Sequence, residues 1–139
     1  MRKFIITILT VFLLIGITSC GTKSKEHSSE TMSTYTQIST EQAITMMEEE
    51  KDYIILDVRT SEEFYEKHIP NAINIPNESI GAEEILELPD KEQLILVYCR
   101  SGNRSKQASE KLAALGYNNV YEFGGINSWT GEMISGQSE

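Results

Sequence analysis

Residues 93–117, QLILVYCRSGNRSKQASEKLAALGY, join two contrasting patterns through a short polar turn. The first seven residues are nearly all apolar, which is typical of a strand buried on both faces of a sheet. After the turn, Ala108, Leu112 and Leu115 recur on one helical face, and Gly116 stands where a helix commonly ends. The stretch therefore predicts a strand that runs through a tight turn into a packed helix, the repeating unit of a parallel sheet.

The same alternation of strands and helices extends over most of the chain. YIILDV, residues 53–58, contains a second continuous apolar run, which ends in Asp57. Further strands are predicted at 35–39, 72–76 and 119–125, and helices at 39–50, 61–68, 81–88 and 126–133. Ser39 with Gln42 forms a capping-box pattern for the first of these helices, and Ser61 is the expected N-cap of the second. These patterns predict an α/β fold, with a parallel sheet of about five strands and helices on both faces.

Length and charge limit the functional classes. A chain of 139 residues suits one domain, and 12 Lys plus Arg against 21 Asp plus Glu give a formal net charge of −9. Such an acidic chain repels phosphate backbones and offers no polybasic attraction to anionic lipid. Nucleic-acid binding is therefore not expected.

The first twenty residues, MRKFIITILTVFLLIGITSC, are typical of an export signal. Two basic residues precede an uncharged stretch, residues 4–17, which is short for a bilayer-spanning helix. The ending ITSC resembles the lipobox of bacterial lipoproteins, in which cleavage leaves an acylated cysteine as the new first residue. This resemblance implies a signal peptide at 1–19, lipidation of Cys20, and a protein anchored by lipid to a cell membrane and facing outside the cytoplasm. An uncleaved membrane anchor and ordinary secretion with cleavage nearby are the alternatives.

A polar segment follows the signal. Residues 21–34, GTKSKEHSSETMST, lack the large apolar groups that a core needs, so we assign 20–34 to the lipidated cysteine and a flexible tether, and 35–139 to the folded domain. If Cys20 carries lipid, Cys99 has no internal partner, because the chain has two cysteines. A free thiol outside the cytoplasm suggests a reactive role.

The loop after Cys99 has features that stabilise a thiolate. Gly102 permits a tight turn in which successive amide groups point inward, backed by the N-terminus of the next helix. Lowering a thiol pKa by about two units takes about 2.7 kcal/mol. One guanidinium about 5 Å away supplies roughly 3 kcal/mol at an effective dielectric of about 20. Arg100 or Arg104, if close, would therefore suffice, and we predict that Cys99 is a nucleophile ionised at neutral pH.

The motif CRSGNRS, residues 99–105, resembles the active-site loop of single-domain rhodaneses, which are sulfurtransferases. ILDVRTSEEFYEKHIPNAINIP, residues 55–76, resembles the upstream block of that family, and GGINSWTGEM, residues 124–133, resembles its closing segment. The three blocks stand in the family's order and cover about residues 35–134. Lys67 and Asn71 depart from the pattern, since glycine is usual at both places; asparagine tolerates a positive φ better than most residues.

What this resemblance implies is a rhodanese-like fold and a persulfide mechanism. The Cys99 thiolate would take sulfane sulfur from an anionic or persulfide donor such as thiosulfate, and a thiophilic acceptor such as a thiol or cyanide would remove it. Catalysis falls to Cys99, with support from Asp57, Arg59 and His68. The substrate-binding residues are those of the loop: Arg100, Ser101, Gly102, Asn103 and Arg104. Neither a metal nor an organic cofactor is implied.

Other interpretations stay open. A cysteine phosphatase or arsenate reductase also combines a cysteine, a loop and an arginine, but it places five residues between them, whereas this chain has four, residues 100–103. A non-catalytic rhodanese-like binding module often lacks the cysteine that this chain keeps.

Asp57 and Arg59 could shape the mouth of the site or form an ion pair that braces the helix at Glu62 or Glu63. His68 could donate a proton or fix the turn that follows it.

Overall fold

A computed structural model describes residues 34–81 and 84–136. The elements in chain order are β1 (Thr36–Gln37), α1 (Thr40–Glu49), β2 (Tyr53–Asp57), α2 (Ser61–Glu66), β3 (Ile73–Asn74), β4 (Leu94–Cys99), α3 (Asn103–Ala114) and β5 (Val120–Gly125). Short 3-10 turns lie at Asn77–Ser79 and Ile126–Ser128. All five strands pair in parallel, in the order β1-β5-β4-β2-β3. The predicted α/β class and five-stranded parallel sheet are confirmed.

Helices cover both faces of the sheet, as expected from the apolar runs. In the central strand β4, Ile95, Val97 and Cys99 join the cluster packed against α3, whereas Leu96 and Tyr98 join the cluster on the side of α1 and α2. All five side chains are at most 1% exposed. Because successive residues of a strand point to opposite faces, the last residue of β4 delivers its sulfur to the side from which α3 begins.

The helix starts depend on capping boxes. Ser39 caps α1, and its hydroxyl and the Gln42 side chain each accept a hydrogen bond from the other residue's backbone amide, as predicted. The prediction of Ser61 as N-cap of α2 is wrong by one residue, because Thr60 caps this helix and pairs reciprocally with Glu63. The sequence does contain this signal: three residues after Thr60 stands Glu63, which can complete a capping box, whereas three residues after Ser61 stands Phe64, which cannot.

Two predicted helices are wrong. Residues 84–88 of the segment 81–88 are irregular, and residues 82 and 83 lie outside the described part. Ile80, Ile85 and Leu88 are all buried in the cluster that packs against α3 while Leu86 is 84% exposed, so tertiary packing and not helical propensity determines the path of this segment. The closing segment 126–133 contains only the 3-10 turn at its start.

Several predictions from the sequence concern the amino-terminal region. The signal peptide, Cys20 and residues 20–33 of the tether lie outside the described residues. Within the described part, none of the helices has the length and apolar character needed to cross a bilayer.

Candidate active site

Cys99 ends β4 at the carboxyl edge of the sheet, and its loop turns back over the sulfur. Gly102, the N-cap of α3, has a φ of 101°, a left-handed conformation that favours glycine. Its amide nitrogen lies 3.1 Å from the Cys99 sulfur and donates to it. The sulfur is nearly enclosed, with the residue 1% exposed. The loop therefore presents an inward amide to the thiol, as the sequence predicts.

The surroundings of Cys99 lower its pKa. Burial acts to raise the pKa, but hydrogen bonds from the Ser105 hydroxyl and from the amides of Ser105, Ser101 and Gly102 outweigh it. The predicted direction is confirmed. The expected main cause is different, because neutral hydrogen-bond donors rather than guanidinium charges dominate around the sulfur.

The Glu63 carboxylate forms ion pairs with both arginines of the loop. Glu63 Oε1 lies 3.0 Å from Arg100 Nε, and Glu63 Oε2 lies 2.6 Å from Arg104 Nη1. Arg104 also donates from Nη2 to Oε1 at 3.0 Å, which makes this pair bidentate. The hydrogen bond from Arg104 lowers the pKa of Glu63 to about 2. The Arg104 guanidinium still interacts with Cys99, as the raised pKa of Arg104 reflects in part.

Two further residues of the site, Ser105 and Glu122, are not predicted from the sequence. Ser105, fully buried in the first turns of α3, lies with its hydroxyl 2.6 Å from Oε1 of Glu122 on β5. Glu122 is 2% exposed and also accepts from the Gly124 amide at 2.8 Å. A carboxylate inside a predicted buried strand was the available signal, because buried charged groups need dedicated partners.

The loop backbone rests on the turn after β5. The Asn127 amide donates to the Arg100 carbonyl at 3.2 Å, and a Cβ placed on Gly125 would lie 2.2 Å from the same oxygen. This approach is possible only with glycine at position 125. Beside the contact is an open depression of about 280 Å³, lined by Arg100, Ser101, Gly124, Gly125, Asn127 and Ser128. Small molecules can therefore approach the loop from this side.

The remaining loop residues differ in accessibility. Ser101 and Asn103 are exposed, whereas Gly102 is buried and Arg104 is partly buried. The Arg100 side chain is 59% exposed, and its Nε lies 3.0 Å from Glu63 Oε1. Arg100 is therefore the more accessible of the two guanidinium groups that a ligand at the loop could meet.

Asp57 and Arg59 form a buried ion pair at the end of β2. Arg59 Nη2 lies 2.6 Å from Asp57 Oδ2, and the same nitrogen donates to the Lys67 carbonyl at 2.7 Å. The Arg59 guanidinium carbon stands 5.7 Å from the centre of the Tyr98 ring. The pair thus ties the end of α2 to the strand next to the active-site loop. The expected brace at Glu62 or Glu63 is wrong, since Arg59 binds Asp57 and Glu63 binds the loop arginines.

His68 has a structural position. It is fully buried, its ring stacks on Phe64 with centroids 3.8 Å apart, and its Nδ1 lies 2.8 Å from the Phe64 carbonyl. Its backbone pairs with Ile134 in both directions. These contacts fit the alternative in which His68 fixes the turn, and they give it no access to a ligand.

The two departures from the family pattern are accommodated. Asn71 has a φ of 63°, so an asparagine does take the positive φ that glycine usually supplies. Lys67 has a φ of −169°, an extended conformation that any residue adopts. Across residues 34–81 and 84–136, no three His, Cys, Asp or Glu side chains cluster in a way that could hold a metal ion.

Known proteins resemble this chain in sequence and in fold. Residues 39–132 match the family model described as a rhodanese-like domain. Thiosulfate sulfurtransferase PspE of Escherichia coli is 35% identical over 81 residues, which are 58% of this chain and 78% of that protein. Adenylyltransferase and sulfurtransferase UBA4 of Candida albicans is 37% identical over 97 residues, 65% of this chain but 22% of that longer protein. A rhodanese-like domain protein from Staphylococcus aureus superposes with a TM-score of 0.64 at 32% identity, covering 73% of this chain and 99% of that one.

Proposed function

The chain belongs to the rhodanese-like domain family, and from that premise we propose that it is a sulfurtransferase that carries sulfane sulfur on Cys99. One observation carries the proposal. The Gly102 amide points at the Cys99 sulfur from 3.1 Å, within a set of donors that lowers the thiol pKa. Such donors stabilise a thiolate, and the same ring can stabilise the terminal anion of a persulfide.

The proposed reaction has two balanced steps. The Cys99 thiolate attacks the outer sulfur of a donor such as thiosulfate; a new S–S bond forms, the S–S bond of the donor breaks, and sulfite leaves with its electron pair. A thiolate or cyanide acceptor then attacks the outer sulfur of the persulfide, and Cys99 returns as a thiolate. Arg100, Ser101, Gly102, Asn103 and Arg104 would contact the donor, with Asp57, Arg59 and His68 supporting the fold around them.

The test is intact mass after incubation of the purified chain with thiosulfate. A gain of one sulfur atom, located by peptide mapping at Cys99 and absent in Cys99→Ser, is the expected result. Hydrolysis of an aryl phosphate without persulfide formation would favour a phosphatase instead. Failure of every donor to load Cys99 would favour a non-catalytic binding module.

The location of the protein is part of the same proposal. The sequence MRKFIITILTVFLLIGITSC supports cleavage before Cys20, acylation of that cysteine, and a membrane anchor that leaves the domain outside the cytoplasm. The membrane fraction of cells that express the chain should contain it with labelled fatty acid attached. Cys20→Ser should lose the label, and a label-free chain that keeps residues 1–19 would contradict the proposal.

A further inference from the structure

One carboxylate, that of Glu63, contacts both arginines of the active-site loop. The Glu63 side chain, 16% exposed, meets Arg104 through two hydrogen bonds and Arg100 through one short contact. Glu63 is held in place from behind as well, because its Oε2 accepts from the Thr60 amide at 3.1 Å in the capping box of α2. The carboxylate is therefore a fixed part of the loop's surroundings.

Glu63 binds the same pair of Arg104 N–H groups that an oxyanion would need. A guanidinium binds a carboxylate or an oxyanion most strongly through two parallel N–H groups, and Glu63 takes two such groups of Arg104. With a pKa of about 2, Glu63 is ionised at any physiological pH. The charge of Glu78 also acts on Arg104. An incoming anion thus meets arginines whose charge is already partly balanced.

The Glu63 carboxylate should affect sulfur donors differently according to their negative charge. Thiosulfate carries two negative charges, and its sulfite leaving group develops both on oxygens that could bind a guanidinium pair. A thiosulfonate or a simple organic persulfide carries one charge and has less to gain from the arginines. Fixed negative charge beside the loop raises the free energy of the dianion more than that of the monoanion.

We propose, on the premise of the sulfurtransferase function above, that Glu63 is a specificity-determining residue that disfavours dianionic sulfur donors and favours donors with a single negative charge. It does so by holding the guanidinium groups of Arg100 and Arg104 that a second charge would otherwise engage.

A matched pair of variants and a matched pair of donors test this. Glu63→Gln keeps an oxygen for the Thr60 amide and removes the charge from the arginines. Glu62→Gln removes the same charge from the adjacent, exposed position of α2, which has no ion pair with the loop. Thiosulfate and methanethiosulfonate present the same kind of sulfane sulfur but differ by one charge. The measurement is kcat/KM for each donor with the full chain and cyanide as acceptor.

We expect Glu63→Gln to raise the thiosulfate-to-methanethiosulfonate ratio of kcat/KM by about tenfold, the order of effect of one nearby charge at a partly solvated site. Glu62→Gln should leave the ratio unchanged. An equal ratio in Glu63→Gln and the unaltered chain, or an equal shift in both variants, would overturn the inference while leaving the sulfurtransferase function intact.

If the chain is not a sulfurtransferase, the result is different, because the unaltered chain would then take sulfur from neither donor. If Glu63→Gln does not fold, as judged by circular dichroism, the unaltered chain alone still tests the inference through its KM values for the two donors. Its KM for thiosulfate should exceed its KM for methanethiosulfonate, and a lower KM for the dianion would contradict the inference.

Discussion

The Ser105 hydroxyl lies 2.6 Å from the Glu122 carboxylate, joining the start of α3 to β5 beneath the active-site loop. The same hydroxyl is 3.0 Å from the Gly102 carbonyl and 3.1 Å from the Gly124 carbonyl. Since a hydroxyl has one proton, these acceptors compete with the Cys99 sulfur for it. Ser105 thus links the stability of the loop to the ionisation of the thiol.

Removing Glu122 should destabilise the domain. In Glu122→Ala the Gly124 amide and the Ser105 hydroxyl lose a buried acceptor, so we expect the free energy of unfolding to fall by about 1–3 kcal/mol in urea denaturation. Glu110→Ala, an exposed change on α3 with the same loss of charge, should change it far less. Equal effects of the two variants would show that Glu122 does not secure the loop.

Removing the Ser105 hydroxyl should raise the Cys99 pKa. The hydroxyl is among the donors that lower that pKa, so we expect the pKa of Cys99 to be higher in Ser105→Ala than in the unaltered chain. The pH dependence of alkylation at Cys99, followed by peptide mass spectrometry, measures the shift in Ser105→Ala. Ser109→Ala is the control, because Ser109 is also buried on α3 and its hydroxyl has no hydrogen-bond partner among the residues that the structure describes. A Cys99 pKa that moves alike in both would argue against a specific contact.

A methyl group at position 125 should disrupt the loop. The Cβ of Gly125→Ala would lie 2.2 Å from the Arg100 carbonyl oxygen, so the backbone after Cys99 must move. We expect at least a tenfold loss of kcat/KM for sulfur transfer, because displaced loop amides no longer stabilise the thiolate. Gly81→Ala places its methyl in open space and should keep the activity of the unaltered chain. Retained activity in Gly125→Ala would mean that the loop tolerates displacement.

Acid should weaken the contact between α2 and the loop. The pKa of Glu63 falls from 4.5 to about 2 on folding, so its contribution to stability is complete above about pH 4.5 and is lost as the pH falls to about 2. After allowance for solvent screening, this contribution is about 1–2 kcal/mol. Between pH 7 and pH 3, the free energy of unfolding should therefore fall less for Glu63→Gln than for the unaltered chain. For Glu66→Gln, an exposed change on the same helix, it should fall as much as for the unaltered chain.

Breaking the buried pair at the end of β2 should also destabilise the fold. Arg59→Met leaves the fully buried Asp57 carboxylate without its partner. We expect the free energy of unfolding to fall by about 3–5 kcal/mol, the usual cost of breaking a buried ion pair. Arg59→Met with Asp57→Asn should recover part of the loss in thermal or urea unfolding. No recovery in the double variant would point to a role for Arg59 beyond this pair.

Local patterns explain what was predicted well. The apolar runs of β2 and β4, the helix face of α3 and the capping box of α1 depend on residues within a few positions of each other, so their signals are present in any short window of sequence. The irregular segment that buries Ile85 and Leu88 could not be predicted in this way, because its shape follows the space left beside α3.

The sequence by itself determined the order of the five strands and of α1, α2 and α3 between them, the position of Cys99 at a strand end, and the glycine that lets the loop turn inward. Tertiary structure alone decided which charges meet there. Glu63 and Arg104 are 41 residues apart, and Ser105 and Glu122 are 17 apart; they come together because parallel pairing sets β2, β4 and β5 side by side with their carboxyl ends at one edge. Electrostatic interactions act through space, so their partners follow from the sheet order and not from distance along the chain.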